Sequence, residues 1–302
     1  MPMIKGFLCD DTALVLAVQA GCFAIFSEYI QTRQLAFVLL TNRHKPLQGI
    51  APISPLANTS QYTFVTQHEN THFERQNPAF FAEILARVGV EPNEAFIIST
   101  SSDDIYVGGL LGINGICISS ATNGLSDCGS WSKLVEWLIH DELQVHYPPI
   151  PLAPYMIAPQ LRGNIGALKG LLHNIKPEFW HQHPDPKEWS PYQIVCHLLE
   201  SEEMTQRPQL EKIIAQDNPF LSQSMVAPTP QCDMSESQLV DMFIQARQQT
   251  INWLNELPAD TWGRVAHHSI FGPTTFLEMA HFTAQHDRLH LNQLCQTLKK
   301  CR

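Results

Sequence analysis

The sequence predicts an α/β sheet domain followed by an all-α helix bundle, on three observations. Residues 1–147 alternate short apolar runs with helical patterns, the way a parallel α/β sheet reads. Residues 160–302 carry four long helical periodicities. The connector, 148–159, falls within HYPPIPLAPYMIAP, whose prolines favour an extended, semi-rigid chain over a helix. At 302 residues the chain is long enough for two cores of this kind.

In the first domain, strands are expected at 4–9, 35–42, 62–67, 94–100 and 115–120, each a short apolar run ending in small or polar residues. Helices are expected at 13–31, 78–88 and 103–111, and the amphipathic run 130–143 closes the domain. Strands alternating with helices wind right-handedly and place any ligand crevice at the strand C-termini. Asp10 and Asp11, Thr41 and Asn42, and Thr100 with Asp103 and Asp104 stand at those ends.

These residues resemble the motifs of the haloacid-dehalogenase-like (HAD) phosphohydrolase family over most of residues 1–125. The stretch Leu8-Cys9-Asp10-Asp11-Thr12 is similar to the family's D-x-D-G-T strand end, and Thr41-Asn42 to its phosphate-binding second motif. Arg75 in Arg75-Gln76-Asn77-Pro78 stands where the family has its catalytic lysine, and Ser99–Ile105 resembles the magnesium-holding G-D-S-x-x-D-I with only Asp104 kept. Aligned on Thr12, Leu8 takes the nucleophile position; a rival alignment puts Asp10 there. Leucine has no nucleophilic atom, and magnesium wants several hard oxygens where two carboxylates are missing. The resemblance therefore implies a Rossmann-like scaffold that has lost its chemistry and its magnesium. It keeps at most a vestigial phosphate pocket of Asp10, Thr41, Asn42, Arg75 and Asp104.

The bundle's helices are expected at 160–180, 191–215, 237–257 and 275–299. Ser190-Pro191 supplies an N-cap and a first-position proline, Ser235 and Gln238 form a capping box, and Thr274 or Thr275 caps the last helix. Pro208 should kink the second helix or end its regular part. The connection from about 216 to 234 is long enough to cross the bundle. In the last helix Leu277, Phe282, Leu289 and Leu294 suggest the apolar stripe.

Nine of the 14 histidines lie after Pro154, so this half is where ligand chemistry is to be sought. His286 and His290 are four residues apart, about 40° apart on one helix face. With His197 from the second helix they form a candidate divalent-metal triad with an open coordination position. Satisfied core histidines are the competing reading. His281, roughly 140° round from His286, should not join. His267 and His268 are read as loop residues that face water, and His173, His181 and His183 as structural or solvated. Glu200 and Asp287 are read as solvent-facing acids, with orientation of the ligand imidazoles as the alternative. Cys196 points about 100° away from His197 and is not cast as a nucleophile.

Trp189-Ser190-Pro191-Tyr192-Gln193-Ile194-Val195-Cys196-His197-Leu198 and the late His286-Asp287-Arg288-Leu289-His290 resemble the DinB-like (damage-inducible) superfamily across nearly all of 155–302. That resemblance implies a four-helix bundle whose three histidines bind nickel or zinc. It further implies metal-dependent transferase or hydrolase action on a small, thiol-bearing substrate. The competing function is a non-enzymatic binding or assembly module with both sites vestigial; residual HAD phosphohydrolase activity is a third.

Net charge is −10, from 19 Lys and Arg against 29 Asp and Glu, without a basic block, which argues against a nucleic-acid partner. No apolar run reaches membrane-spanning length, so no membrane partner is expected. The first residues lack a secretory layout, and eight scattered cysteines without CxxC pairs then suit a reducing, cytoplasmic setting. DinB-like bundles often pair, so a homo-oligomer is compatible with the resemblance.

Overall fold

The computed structural model describes residues 3–41, 62–66 (backbone only), 72–119, 128 (backbone only), 129–173, 175–222, 230 and 232–301. The chain divides into two compact units, Met1–Leu152 and Ala153–Arg302.

The first unit is built on a parallel sheet of β1 (Gly6–Asp10), β2 (Ala36–Thr41), β3 (Tyr62–Thr66), β4 (Ala95–Ser99), β5 (Asn114–Ile118) and β6 (Cys128–Gly129). The spatial order is β3-β2-β1-β4-β5-β6, every pairing parallel. The central strand β1 is buried along its length, because both faces are covered and its pleat sends successive side chains to opposite layers. Phe7 and Cys9 join one apolar layer with Phe26, Phe37, Phe96 and Trp131. Leu8 joins the other, with Val38, Phe80, Leu85 and Ile97.

The helices of this unit are α1 (Asp11–Gln19), α2 (Phe23–Thr32), α3 (Pro78–Val88), α4 (Ser102–Gly109), α5 (Trp131–Ile139) and the single turn α6 (Leu143–His146). The single helix expected at 13–31 is in fact two, bent by 116° at Gly21. Gly21 sits at φ +70°, a left-handed conformation that ends a helix and that glycine adopts without Cβ strain. Among the described residues no single helix is long and apolar enough to cross a membrane.

The second unit contains α7 (Ile157–Leu172), α8 (Pro191–Ser201), α9 (Arg207–Ala215), α10 (Glu236–Glu256) and α11 (Phe276–Lys300), with a small sheet of β7 (Phe220–Leu221), β8 (Val265–His268) and β9 (Gly272–Thr275). α7 begins inside the stretch expected to be linker, since Pro159 falls in its first turn, where a missing N–H leaves no hydrogen bond unmade. The capping boxes at Ser190/Gln193, Ser235/Gln238 and Thr275/Glu278 all form. α7 packs against α10 and α11, and α8 against the same two, so α7 and α8 are diagonal in the bundle although consecutive in sequence.

The regular part of the second helix ends ahead of Pro208, at Ser201, and Pro208 falls in the first turn of the next α-helical segment. A π-helical turn, Glu202–Gln206, joins α8 to α9 and absorbs the break in the hydrogen-bond ladder that a mid-helix proline imposes. The same turn brings Glu202 and Gln206 inward, both buried. The buried face of α11 is also not the stripe of Leu277, Phe282 and Leu289. It runs through Met279, Ala280, Thr283, Ala284, Asp287, Leu291 and Leu294, while Leu289 is 64% exposed. Leucines alone misplace the face because it also buries Thr283, Asp287, Arg288, His290 and Thr297.

Candidate metal centre

The site starts from two well-capped helices. Ser190 accepts the Gln193 N–H and Pro191 takes the first helical position, which sets where α8 begins and so which residues face inward. His197 lies in the buried run of α8, and His286 and His290 lie one turn apart on α11, the neighbouring helix. His197 and His290 are buried and His286 is half-buried.

The three rings converge. Ring centroids are 4.4 Å apart for His197 and His290, 4.5 Å for His286 and His290, and 5.2 Å for His197 and His286. One nitrogen from each ring lies within 4.8 Å of the other two. His197 Nε2 and His286 Nε2 are 3.3 Å apart. Two nitrogen ligands at zinc-type bond lengths and a tetrahedral angle would stand roughly 3.3–3.4 Å apart, so the spacing is that of ligands sharing one ion. His290 turns its other nitrogen outward, with Nδ1 2.9 Å from Gln293 Oε1. Since an amide oxygen only accepts, that bond puts the proton on Nδ1 and leaves Nε2 as the lone-pair donor. The indole of Trp189 covers the back of two rings, 4.9 Å from His197 and stacked on His290 at 6.0 Å.

Electrostatics keep the cluster neutral. Burial, and then the His290 charge, push the His197 pKa down to about 4. Burial, then repulsion from His290, His197 and Arg247, push His286 down to about 2. His290 is lowered by burial as well. At pH 7 all three imidazoles therefore carry free lone pairs, which is what ligation requires.

A pH dependence follows. His268 is likewise lowered by burial, so below about pH 6.5 the unfolded chain binds more protons at these four histidines than the folded one. The metal-free protein should lose stability as pH falls from about 6.5 towards 4, by up to roughly 1.4 kcal/mol per pH unit for each imidazole. Asp287 opposes this, because burial holds its carboxyl up at about 6 and the folded chain keeps that proton longer; one such group does not cancel four. Denaturant melts between about pH 7 and pH 4.5 check the slope, and a flat profile would contradict it.

Beneath the triad lies a network of charged and polar groups. Arg247 of α10 is fully buried and reaches across the bundle. It donates to Asp287 Oδ1 at 2.6 Å, to Gln206 Oε1 at 2.8 Å, and to Glu202. Thr250 also donates to Glu202. Burial alone would lower the Arg247 pKa, but Asp287 and Glu202 more than reverse that. Asp287 is thus not the solvent-facing acid that its sequence neighbourhood suggests. Arg247, Glu202, Gln206 and Ser201 carry no motif, and each alone reads as a polar surface residue. The inward turn of Glu202 and Gln206 comes from the π turn ahead of Pro208, and that proline was the one available signal.

Residues 160–294 match the DinB superfamily. The matched segment contains all three histidines and the Arg247 network. A solved structure of YfiT from Bacillus subtilis, described as a probable metal-dependent hydrolase with an unusual four-helix bundle topology, is also similar. It covers 48% of this chain and 86% of its own, at 13% identity and a TM-score of 0.42. Comparison with curated proteins gives no match.

The other histidines within this DinB-matching segment fall elsewhere. His281 is not part of the cluster. His267 and His268 lie on β8 rather than in a loop. His267 is exposed, whereas His268 is buried and stacked on Phe271 at 4.5 Å. Alternation along a strand accounts for the split. Cys196 is buried, and burial raises its thiol well above the ordinary range, which suits an inert side chain.

In the first unit the strand ends form a cavity of about 380 Å³ lined by Asp10, Asp11, Arg75, Thr100, Asp103 and Asp104, among others. Leu8 is buried in an apolar layer, so Asp10, not Leu8, is the β1 residue at this cleft. Asp10 Oδ2 accepts from Ser99 Oγ at 2.6 Å and from Thr100 N and Oγ1, while its Oδ1 caps α1 through Ala13 N. Thr41 Oγ1 donates to Asp11 at 2.8 Å. Arg75 forms a two-pronged ion pair with Asp104, Nε to Oδ1 at 2.8 Å. Among the described lining residues, four carboxylates stand against the one guanidinium of Arg75, an electronegative balance. Asn42 lies outside the described residues.

Proposed function

We propose that His197, His286 and His290 hold one divalent cation, nickel or zinc. In this reading the chain carries out metal-dependent transfer or hydrolysis on a small, thiol-bearing substrate. The observation that carries the proposal is the convergence of three neutral imidazoles, one nitrogen each, within 4.8 Å. The donor set is right for these ions, since neutral imidazole suits zinc and nickel and three protein ligands leave a position open. A cation held there supplies Lewis acidity, lowering the pKa of water or a thiol beside it. The protein's own groups do the rest. Burial keeps the imidazoles deprotonated, Gln293 fixes the His290 tautomer, and Trp189 excludes water from the ring faces. The seven cysteines whose side chains are described are all free thiols, compatible with the reducing, cytoplasmic setting that we propose. Elemental analysis of the purified chain tests the reading: about one divalent ion per chain is expected, and none would refute it.

We further infer that the first unit is a HAD-like scaffold without phosphoryl transfer. The strand order and the placing of Asp10, Arg75 and Asp104 at one cleft support the kinship. The loss of chemistry is supported by the bonding there. Both oxygens of Asp104 are engaged by the Arg75 guanidinium, which fills the role a magnesium ion would take, and both oxygens of Asp10 are already accepting hydrogen bonds. A small aryl phosphate ester with magnesium should turn over no faster with the native chain than with Asp10→Asn. A rate that the substitution abolishes would sink this reading.

A further inference from the structure

Ser201 ends α8 one turn beyond His197 and is buried. Its hydroxyl oxygen lies 3.3 Å from His197 Nε2, the nitrogen that is itself 3.3 Å from His286 Nε2. The hydroxyl therefore stands beside the point where the imidazole lone pairs meet, on the ligand side of the ring. Gln293 sits behind its imidazole, at Nδ1 of His290. Among the described residues Ser201 Oγ has no other hydrogen-bond partner.

Engaging the His197 Nε2 lone pair in ligation ends the hydrogen bond that this nitrogen can share with Ser201. A buried hydroxyl left unmatched is costly, so it turns to whatever neighbour can exchange a hydrogen bond. The group nearest to hand is the one filling the open coordination position.

We propose that Ser201 is a positioning residue of the metal centre, hydrogen-bonding the water or the hydroxyl or thiol group of a substrate that enters next to His197. This rests on the metal-binding reading above and adds to it a selection. Groups that can donate a hydrogen bond to Ser201 Oγ are favoured over ethers and thioethers, which can only accept one.

The full chain loaded with cobalt(II), compared with Ser201→Ala and Ser201→Cys, tests it. Alanine removes one oxygen from a helix and should leave cobalt uptake in place. The pH midpoint of its visible cobalt spectrum should move by roughly half a unit or more, because the bound group loses a hydrogen-bond partner. A purely structural serine would not move it. The cysteine variant should show a sulfur-to-cobalt charge-transfer band in the near ultraviolet that the native chain lacks. The shift or the band, seen with cobalt bound, supports the assignment, and the pair of variants guards against one failing to fold. Cobalt bound with neither change overturns it. No cobalt uptake by the native chain overturns both this assignment and the metal-binding reading.

Discussion

Replacing Arg247 by methionine should destabilise the second unit by about 3–5 kcal/mol, a large share of the roughly 5–15 kcal/mol that a domain has in total. Arg247 is wholly buried, and Glu202 and Asp287, its ion-pair partners, are equally hidden from water. Methionine fills much of the same volume, so the cost comes from two carboxylates left without a counter-charge. The remedy follows from the same cause. Adding Glu202→Gln and Asp287→Asn to Arg247→Met should recover a large part of the loss, because the buried charges disappear together. Lowering the pH should also narrow the gap between variant and native, since Asp287 already titrates at about 6 with the arginine present and would titrate higher without it. Chemical denaturation midpoints measure all of these. A loss below about 1 kcal/mol for Arg247→Met would mean that water reaches the network and the burial is not what it looks like.

His286→Ala should remove the bound metal, taking the content from about one ion per chain to less than about a tenth. Its Nε2 is the nitrogen that faces His197 directly, and two remaining imidazoles make a poor site for zinc or nickel. His281→Ala, a substitution on the same helix but outside the cluster, should retain the metal and is the matched control. Binding to the folded state alone also predicts a stability difference. Metal at about a hundred times its dissociation constant should add roughly 2.7 kcal/mol to the native chain and nothing to His286→Ala. Equal metal content in native and variant would place the ion somewhere other than these three rings. Equal stability with and without metal would show that the triad is not loaded.

How far these sites could be read in advance differs from residue to residue. The His197, His286 and His290 set could be seen because the pattern that brings them together is periodic. An i,i+4 pair must share a helix face, and a capped amphipathic helix nearby supplies a third donor. Helix starts could be read for the same local reason, as with Thr275 and Glu278, where side chain and backbone lie within three residues of each other. Arg247 could not be read that way, since its partners are 40 to 45 residues distant in sequence and nothing local distinguishes a buried arginine from an exposed one. The first unit behaves alike. Five strands fall where short apolar runs suggest them. The identity of the residue at the end of β1 was ambiguous by motif and was decided by the pleat, which turns Leu8 into a core layer and leaves Asp10 at the cleft.

The sequence alone determined five strands of the first unit, the α/β-then-α order and the three histidines, because propensity, capping and periodicity act over a few residues at a time. Tertiary structure alone decided which polar groups are buried, which nitrogen of each imidazole points inward, and that Arg75 closes on Asp104. Those outcomes depend on long-range packing and on the desolvation it imposes, and neither is written in any one stretch of the chain.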